Sequence, residues 1–221
     1  MTATSSITQR TRVKICGLTR PQDVDAAVGA GADAVGLVFY RPSKRAVSLE
    51  QAMALRQAVP AFVSVVALFV NAPEQEVHEV IERVQPDLLQ FHGDESAAYC
   101  ASFKRRYMRA FRIGGPGLDS AEQVLSTCRQ YQSASAWLFD SFSAGYGGSG
   151  LAFDAELLSA VRQAADSRPL VLAGGLKADT VAQSLKDLRP YAVDVSSGVE
   201  DSPGIKSAQK IAAFMRAVAS V

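Results

Sequence analysis

The hydrophobic pattern of the chain repeats one unit about eight times: a short apolar run, a loop, then a stretch of helical period. The first unit opens at Val13-Lys14-Ile15-Cys16, where apolar and polar residues alternate as in a strand. Gly17 breaks the run, and Pro21 suits the first turn of a helix that Val24, Ala27 and Val28 carry to residue 30. Residues 34–39 are almost continuously apolar, as in a strand buried on both faces of a parallel sheet. Ser48 caps a second helix reaching residue 59, and 62–70 reads as the third strand. A helix over 73–84, a strand over 87–91, a helix over 95–105 and a strand over 107–113 follow. Asp119 or Ser120 caps a helix through Arg129, and 135–140 is the sixth strand. Its exit, 141–150, is the longest loop and the richest in glycine. Helices over 153–165, 178–188 and 207–218 alternate with strands over 169–173 and 192–195.

Unbroken alternation of strand and helix predicts parallel strands joined by right-handed crossovers. Eight units in 221 residues predict an α/β fold of one domain, a (β/α)₈ barrel near the small end of its size range. The barrel takes residues 12–221, and the polar, small residues 1–11 read as a flexible leader. The competing architecture, a doubly wound open sheet, calls for a dinucleotide fingerprint after the first strand. Cys16-Gly17-Leu18-Thr19 does not supply one.

Composition narrows the function. A net charge of +1 with no block of like charges argues against nucleic-acid and membrane surfaces as partners. Cys16, Cys100 and Cys128 are an odd set without metal-site spacing, which predicts a reduced, cytoplasmic chain. Only two histidines, His78 and His92, argue against a histidine-rich zinc site. The helix faces carry no evident exposed apolar stripe, so monomer and homodimer both stay open.

In a barrel the loops after the strands meet on one face, so strand-end residues belong together: Cys16, Arg45, His92, Arg112, Asp140, Gly174-Gly175 and Ser197-Gly198. Glycine turns after the last two strands, next to helix amino termini, suit a phosphate held by backbone amides; tight turns alone also call for glycine. Asp140 closes the apolar run Trp137-Leu138-Phe139, an unfavourable place for a carboxylate unless it caps a loop or does chemistry. Cys16 reads either as a small core residue or, with Asp140 across the mouth, as half of an acid–base pair. Arg45 is a solvated cation or a fork for a planar carboxylate. His92 touches the ligand or satisfies its loop.

Taken jointly and in order, several stretches resemble the phosphoribosylanthranilate isomerase family of tryptophan biosynthesis. They are Lys14-Ile15-Cys16-Gly17, Gly36-Leu37-Val38-Phe39 through Ser43-Lys44-Arg45, Gln90-Phe91-His92-Gly93, Leu138-Phe139-Asp140 and Tyr146-Gly147-Gly148-Ser149-Gly150 with Phe153-Asp154. Leu172-Ala173-Gly174-Gly175-Leu176 and Val193-Asp194-Val195-Ser196-Ser197-Gly198-Val199-Glu200 with Pro203-Gly204 complete the set. Phe139 stands where the family often has leucine, and Arg41-Pro42 falls in a variable segment.

The resemblance implies a (β/α)₈ barrel that turns the small phosphorylated molecule N-(5-phosphoribosyl)anthranilate into 1-(2-carboxyphenylamino)-1-deoxyribulose 5-phosphate, without cofactor or metal. It implies Cys16 as general base, Asp140 as general acid and Arg45 on the anthranilate carboxylate. Gly174, Gly175, Ser197 and Gly198 become the phosphate cradle, and His92 stays a candidate substrate contact on its strand-end position alone. That chemistry asks Asp140 to keep a proton above its ordinary pKa of about 3.9, and Cys16 to release one below about 8.5, with Lys14 as a cation to assist it. Other barrel enzymes of phosphorylated substrates compete with this reading. The isomerase of histidine biosynthesis presents an aspartate in place of Cys16. Indole-glycerol-phosphate synthase needs lysine and glutamate at early strand ends. A non-catalytic phosphosugar binder would keep the glycine turns and lose Cys16 or Asp140.

Overall fold

The computed structural model describes residues 10–142 and 154–221. Eight parallel strands close into a barrel in sequence order: β1 (Arg12–Cys16), β2 (Ala34–Phe39), β3 (Ser64–Phe69), β4 (Leu88–Phe91), β5 (Tyr107–Ile113), β6 (Ala136–Ser141), β7 (Leu170–Leu172) and β8 (Ala192–Val195). The seam closes by β1 pairing with β8, which sets Lys14 opposite Asp194. Around it run α1 (Pro21–Gly29), α2 (Leu49–Gln57), α3 (Glu74–Arg83), α4 (Ala97–Ser102), α5 (Ala121–Arg129), α6 (Ser159–Gln163), α7 (Val181–Leu188) and α8 (Ala208–Ala219). The open sheet is thereby excluded. Ser48 caps α2 by accepting from the Gln51 amide, and Ser120, rather than Asp119, caps α5 by accepting from Gln123.

Strand alternation divides the buried residues into two cores. Outward side chains such as Val13, Ile15, Val35, Leu37, Phe69, Phe91, Trp137 and Phe139 pack with the helices' apolar stripes in the shell between sheet and helices. Inward side chains fill the barrel: Val66, Met108, Ala110, Ala136, Leu138, Val171 and Ala192 form one layered cluster. Nearer the mouth the inward positions are Cys16, Val38, Leu68 and Val70. Asp140 lies two residues beyond Leu138 and Cys16 two beyond Lys14, so the same period that buries the core aims both at the mouth.

Four elements depart from the sequence reading. The third strand starts at Ser64, not at 62, because Phe62 has a left-handed backbone (φ 71°) and stands fully exposed in the turn before it. The fourth helix starts after its cap Ser96, while Glu95 is buried against the Arg109 guanidinium at 3.2 Å. The sixth helical segment opens as a 3₁₀ turn, Ala155–Leu158, before α6. A small antiparallel ribbon, β9 (Glu200–Ser202) with β10 (Ile205–Lys206), stands between β8 and α8. Residues 1–9 of the expected leader, and most of the glycine-rich loop after Asp140 with the start of the helix expected at 153, lie outside the described residues. Arg10 forks onto Asp33.

Candidate active site

One cavity opens at the carboxyl ends of the strands and encloses about 730 Å³, open solvent at its mouth included. That is the size of a site for one small molecule. Cys16, Arg45, His92, Asp140, Gly174, Gly175, Ser197 and Gly198 all line it. Apolar Val38, Leu68 and Val70 form one wall. Arg112, also at a strand end, is not among the lining residues; its guanidinium reaches Asp94 at 3.3 Å.

Cys16 ends β1 deep in this cavity, and Gly17 follows it at φ 76°. A Cβ on Gly17 would lie 2.6 Å from the Arg45 side chain, so the missing side chain is the room that Arg45 occupies. Burial pushes the Cys16 thiol up, the Lys14 ammonium pulls it down, and Asp194 pushes it up again. The net direction is upward. Lys14 is the cation beside the thiol, as the sequence suggested, but Asp194 largely spends its charge: Nζ donates to Oδ2 at 2.8 Å with both groups buried.

Asp140 is buried at the end of β6, and its Oδ1 accepts from the Ser141 amide at 2.8 Å. Its Oδ2 lies 3.3 Å from His92 Nε2. Gln90, wholly buried on β4, lies with Nε2 3.2 Å from His92 Nδ1 and so orients the ring towards Asp140. The loop carrying His92 is tied down by Arg109, which donates to the carbonyls of Phe91 (2.9 Å) and Gly93 (2.8 Å). The sequence reading quoted Gln90 within a family-like stretch without giving it a role, and it passed over Arg109, whose one signal was a charged residue inside an apolar strand run.

Arg45 forks onto Glu200 of the β9–β10 ribbon, Nε to Oε1 and a terminal nitrogen to Oε2, both at 2.7 Å. The fork that the structure shows is thus onto a carboxylate of the chain, on one edge of the guanidinium. Burial pushes the Glu200 carboxyl up, but the bonds from Arg45 and Lys206 outweigh it and hold the group below its ordinary range. The glycine turns close the far side of the cavity. A Cβ on Gly198 would fall 1.9 Å from the Leu176 carbonyl oxygen, so the turn after β8 approaches the turn after β7 as only glycine permits.

A closed parallel barrel with its titratable groups gathered at the carboxyl-end mouth defines a (β/α)₈-barrel enzyme. The family model described as N-(5'phosphoribosyl)anthranilate (PRA) isomerase matches residues 13–217. The chain belongs to that family. A Bordetella bronchiseptica N-(5'-phosphoribosyl)anthranilate isomerase is 60% identical over 212 residues, covering 96% of this chain and 97% of the relative. The crystal structure of phosphoribosyl anthranilate isomerase from Thermotoga maritima superposes with a TM-score of 0.85 at 36% identity, over 96% of this chain and 100% of that one. A structure of the enzyme in complex with reduced 1-(o-carboxyphenylamino)-1-deoxyribulose 5-phosphate has a TM-score of 0.82 at 33% identity, covering 96% and 100%.

Proposed function

We infer that this cavity isomerises N-(5'-phosphoribosyl)anthranilate to 1-(2-carboxyphenylamino)-1-deoxyribulose 5-phosphate, a step of tryptophan biosynthesis. The observation that carries the residue roles is the shared cavity: a thiol on β1, a carboxylic acid on β6 and two glycine turns after β7 and β8 face one volume. The turns take the 5-phosphate, which fixes the ribose between Cys16 and Asp140. Asp140, protonated, donates to the ring oxygen, and the ring opens to a protonated Schiff base. The iminium acidifies the C2′ proton, which the Cys16 thiolate removes. The enolamine then tautomerises to the ketone.

The upward push on the Cys16 thiol gives the iminium a second duty. It is a positive charge formed within reach of the sulfur, and an opposite charge nearby favours the thiolate. His92, ringed by Gln90 and Asp140, is the group placed to exchange the proton that Asp140 delivers. Arg45 presents its remaining edge to the anthranilate carboxylate while Glu200 holds the other edge still. Every group named comes from one chain, so the reading needs no second copy. Three free, buried thiols accord with a cytoplasmic enzyme, and among the described residues no helix is long and apolar enough to cross a membrane.

The test is optical. Purified protein mixed with freshly formed N-(5'-phosphoribosyl)anthranilate quenches the anthranilate fluorescence catalytically. A stoichiometric change without turnover would instead mark a binding protein.

A further inference from the structure

A second concavity lies on the opposite, amino-terminal face of the barrel, among the segments that lead into β7, β8 and β1. It encloses about 1030 Å³, open solvent included. Four arginines line it: Arg10 before β1, Arg162 near the end of α6, Arg168 before β7 and Arg189 just past α7. Among the described residues no aspartate or glutamate does. The rest of the lining is mostly apolar and includes Leu188 and the exposed Tyr191.

These cations stand far apart in sequence, so a net charge of +1 conceals them until the fold gathers them. Arg10 is held by Asp33. Arg168 donates to the Gln132 carbonyl, which satisfies a donor without cancelling its charge. Arg162 and Arg189 have no carboxylate partner among the described residues. Residues 1–9 and 143–153 contain no aspartate or glutamate, so the chain has no further acidic side chain to supply one. The carboxyl ends of α6 and α7 each offer about half a negative charge. Together with Asp33 they offset about two of the four positive charges, and the remainder faces the concavity.

Two further observations point to a ligand. Arg189 holds a left-handed backbone (φ 44°) at a position that favours glycine, so the guanidinium is kept there at a conformational cost. Arg12 stacks on the Tyr191 ring at 4.2 Å from its centroid, and its buried Nη1 has no hydrogen-bond partner among the described residues. Buried polar atoms are ordinarily satisfied.

We propose that this concavity is an anion site separate from the active mouth, and that its ligand is an oxyanion of two or more charges on an apolar or aromatic body. Guanidinium forks match the oxygens of phosphate and carboxylate groups. The apolar lining takes the body, and Tyr191, backed by Arg12, offers it a ring face. A single exposed ion pair contributes little, so the site depends on several arginines meeting one dianion.

The test is a titration of ¹⁵N-labelled protein with phenyl phosphate and with inorganic phosphate, each to about 10 mM, a range that covers millimolar affinity. Amide signals of Leu170, Arg189 and Tyr191 report this site, and those of Gly174 and Gly198 report the mouth separately. In wild type the first group shifts saturably, and phenyl phosphate binds more tightly than inorganic phosphate because only it uses the apolar lining. Arg162→Gln combined with Arg189→Gly weakens that binding about 5- to 20-fold, the sum of two exposed charge contacts, and leaves the response at Gly174 and Gly198 as in wild type. Glycine suits the left-handed position, so the fold tolerates Arg189→Gly; should the double variant fail a thermal-melt check, Arg189→Gly alone decides, with a loss of a few-fold. Amides at Leu170, Arg189 and Tyr191 that stay fixed throughout the titration overturn the proposal. So does an affinity that the arginine substitutions leave unchanged, which would mark the shifts as transmitted from the mouth. Equal affinity for the two phosphates overturns the assignment of an apolar or aromatic body.

Discussion

Cys16 lies under opposed influences, and their balance makes its role measurable. Burial and Asp194 raise the thiol while Lys14 lowers it, so the thiolate population of the free enzyme grows with pH through the alkaline range. We expect kcat/KM to climb above about pH 8.5, the ordinary thiol value, before other groups fail. Cys16→Ser and Asp140→Asn should each lower kcat by about 10²- to 10⁴-fold, the usual worth of a positioned base or acid. Cys100 and Cys128 are natural controls. Both are buried in the shell, burial pushes Cys100 up to about 12 and Cys128 up as well, and neither lines the cavity. Their serine variants should turn over near the wild-type rate. A folded Cys16→Ser enzyme within a few-fold of wild type would remove the thiol from the mechanism. These residues were readable in sequence because strand period and strand end together define an inward, mouth-facing position. Lys14 was readable too, two residues before Cys16 on the same strand, but its partner was not: Asp194 stands 180 positions away, and only barrel closure brings the two together.

At the scale of elements, the β1–β8 seam carries a buried charge pair where a barrel interior ordinarily carries apolar layers. Removing one member leaves the other charge buried without a partner. Lys14→Met should therefore destabilise the fold by about 3–5 kcal/mol, and replacing both, Lys14→Met with Asp194→Leu, should recover most of that loss. Urea midpoints of the two variants decide it; equal losses in single and double variants would show that the pair is not what holds the seam. The turn before β3 offers the opposite case. Phe62 holds a left-handed backbone with its ring in solvent, a conformation that asparagine accepts more readily. Phe62→Asn should stabilise by up to about 1 kcal/mol, read as a higher Tm. Sequence pattern placed Phe62 in a strand because aromatic residues favour strands and no glycine announced the turn. The β9–β10 ribbon was invisible for another reason: its strands are three and two residues long, too short for alternation to register.

For the molecule as a whole, the eightfold repeat was legible because each unit buries an apolar strand and an amphipathic helix, a pattern that recurs whatever the loops contain. What closes the mouth was not, since it depends on ionic contacts between distant loops. Glu200 is the centre of these: it accepts from Arg45, Lys206 and the Gly204 amide, and so ties the β2 exit to the ribbon after β8. Such a carboxylate links global stability to pH. Its folded pKa is lowered from the unfolded value, burial opposing and the bonds from Arg45 and Lys206 prevailing. Between the two values the unfolded chain binds more protons, so stability rises with pH there. The contribution is complete above the ordinary carboxyl value of about 4.3 and is lost as pH falls through the depressed folded value. Glu200→Gln lacks this titration. The stability gap between wild type and Glu200→Gln should stay constant from about pH 7 to about pH 5 and narrow as acid protonates the wild-type carboxylate. Urea unfolding at a series of pH values measures the gap directly. A gap that persists undiminished to pH values where wild type itself begins to unfold would show that the Glu200 contacts hold the mouth by shape and not by charge.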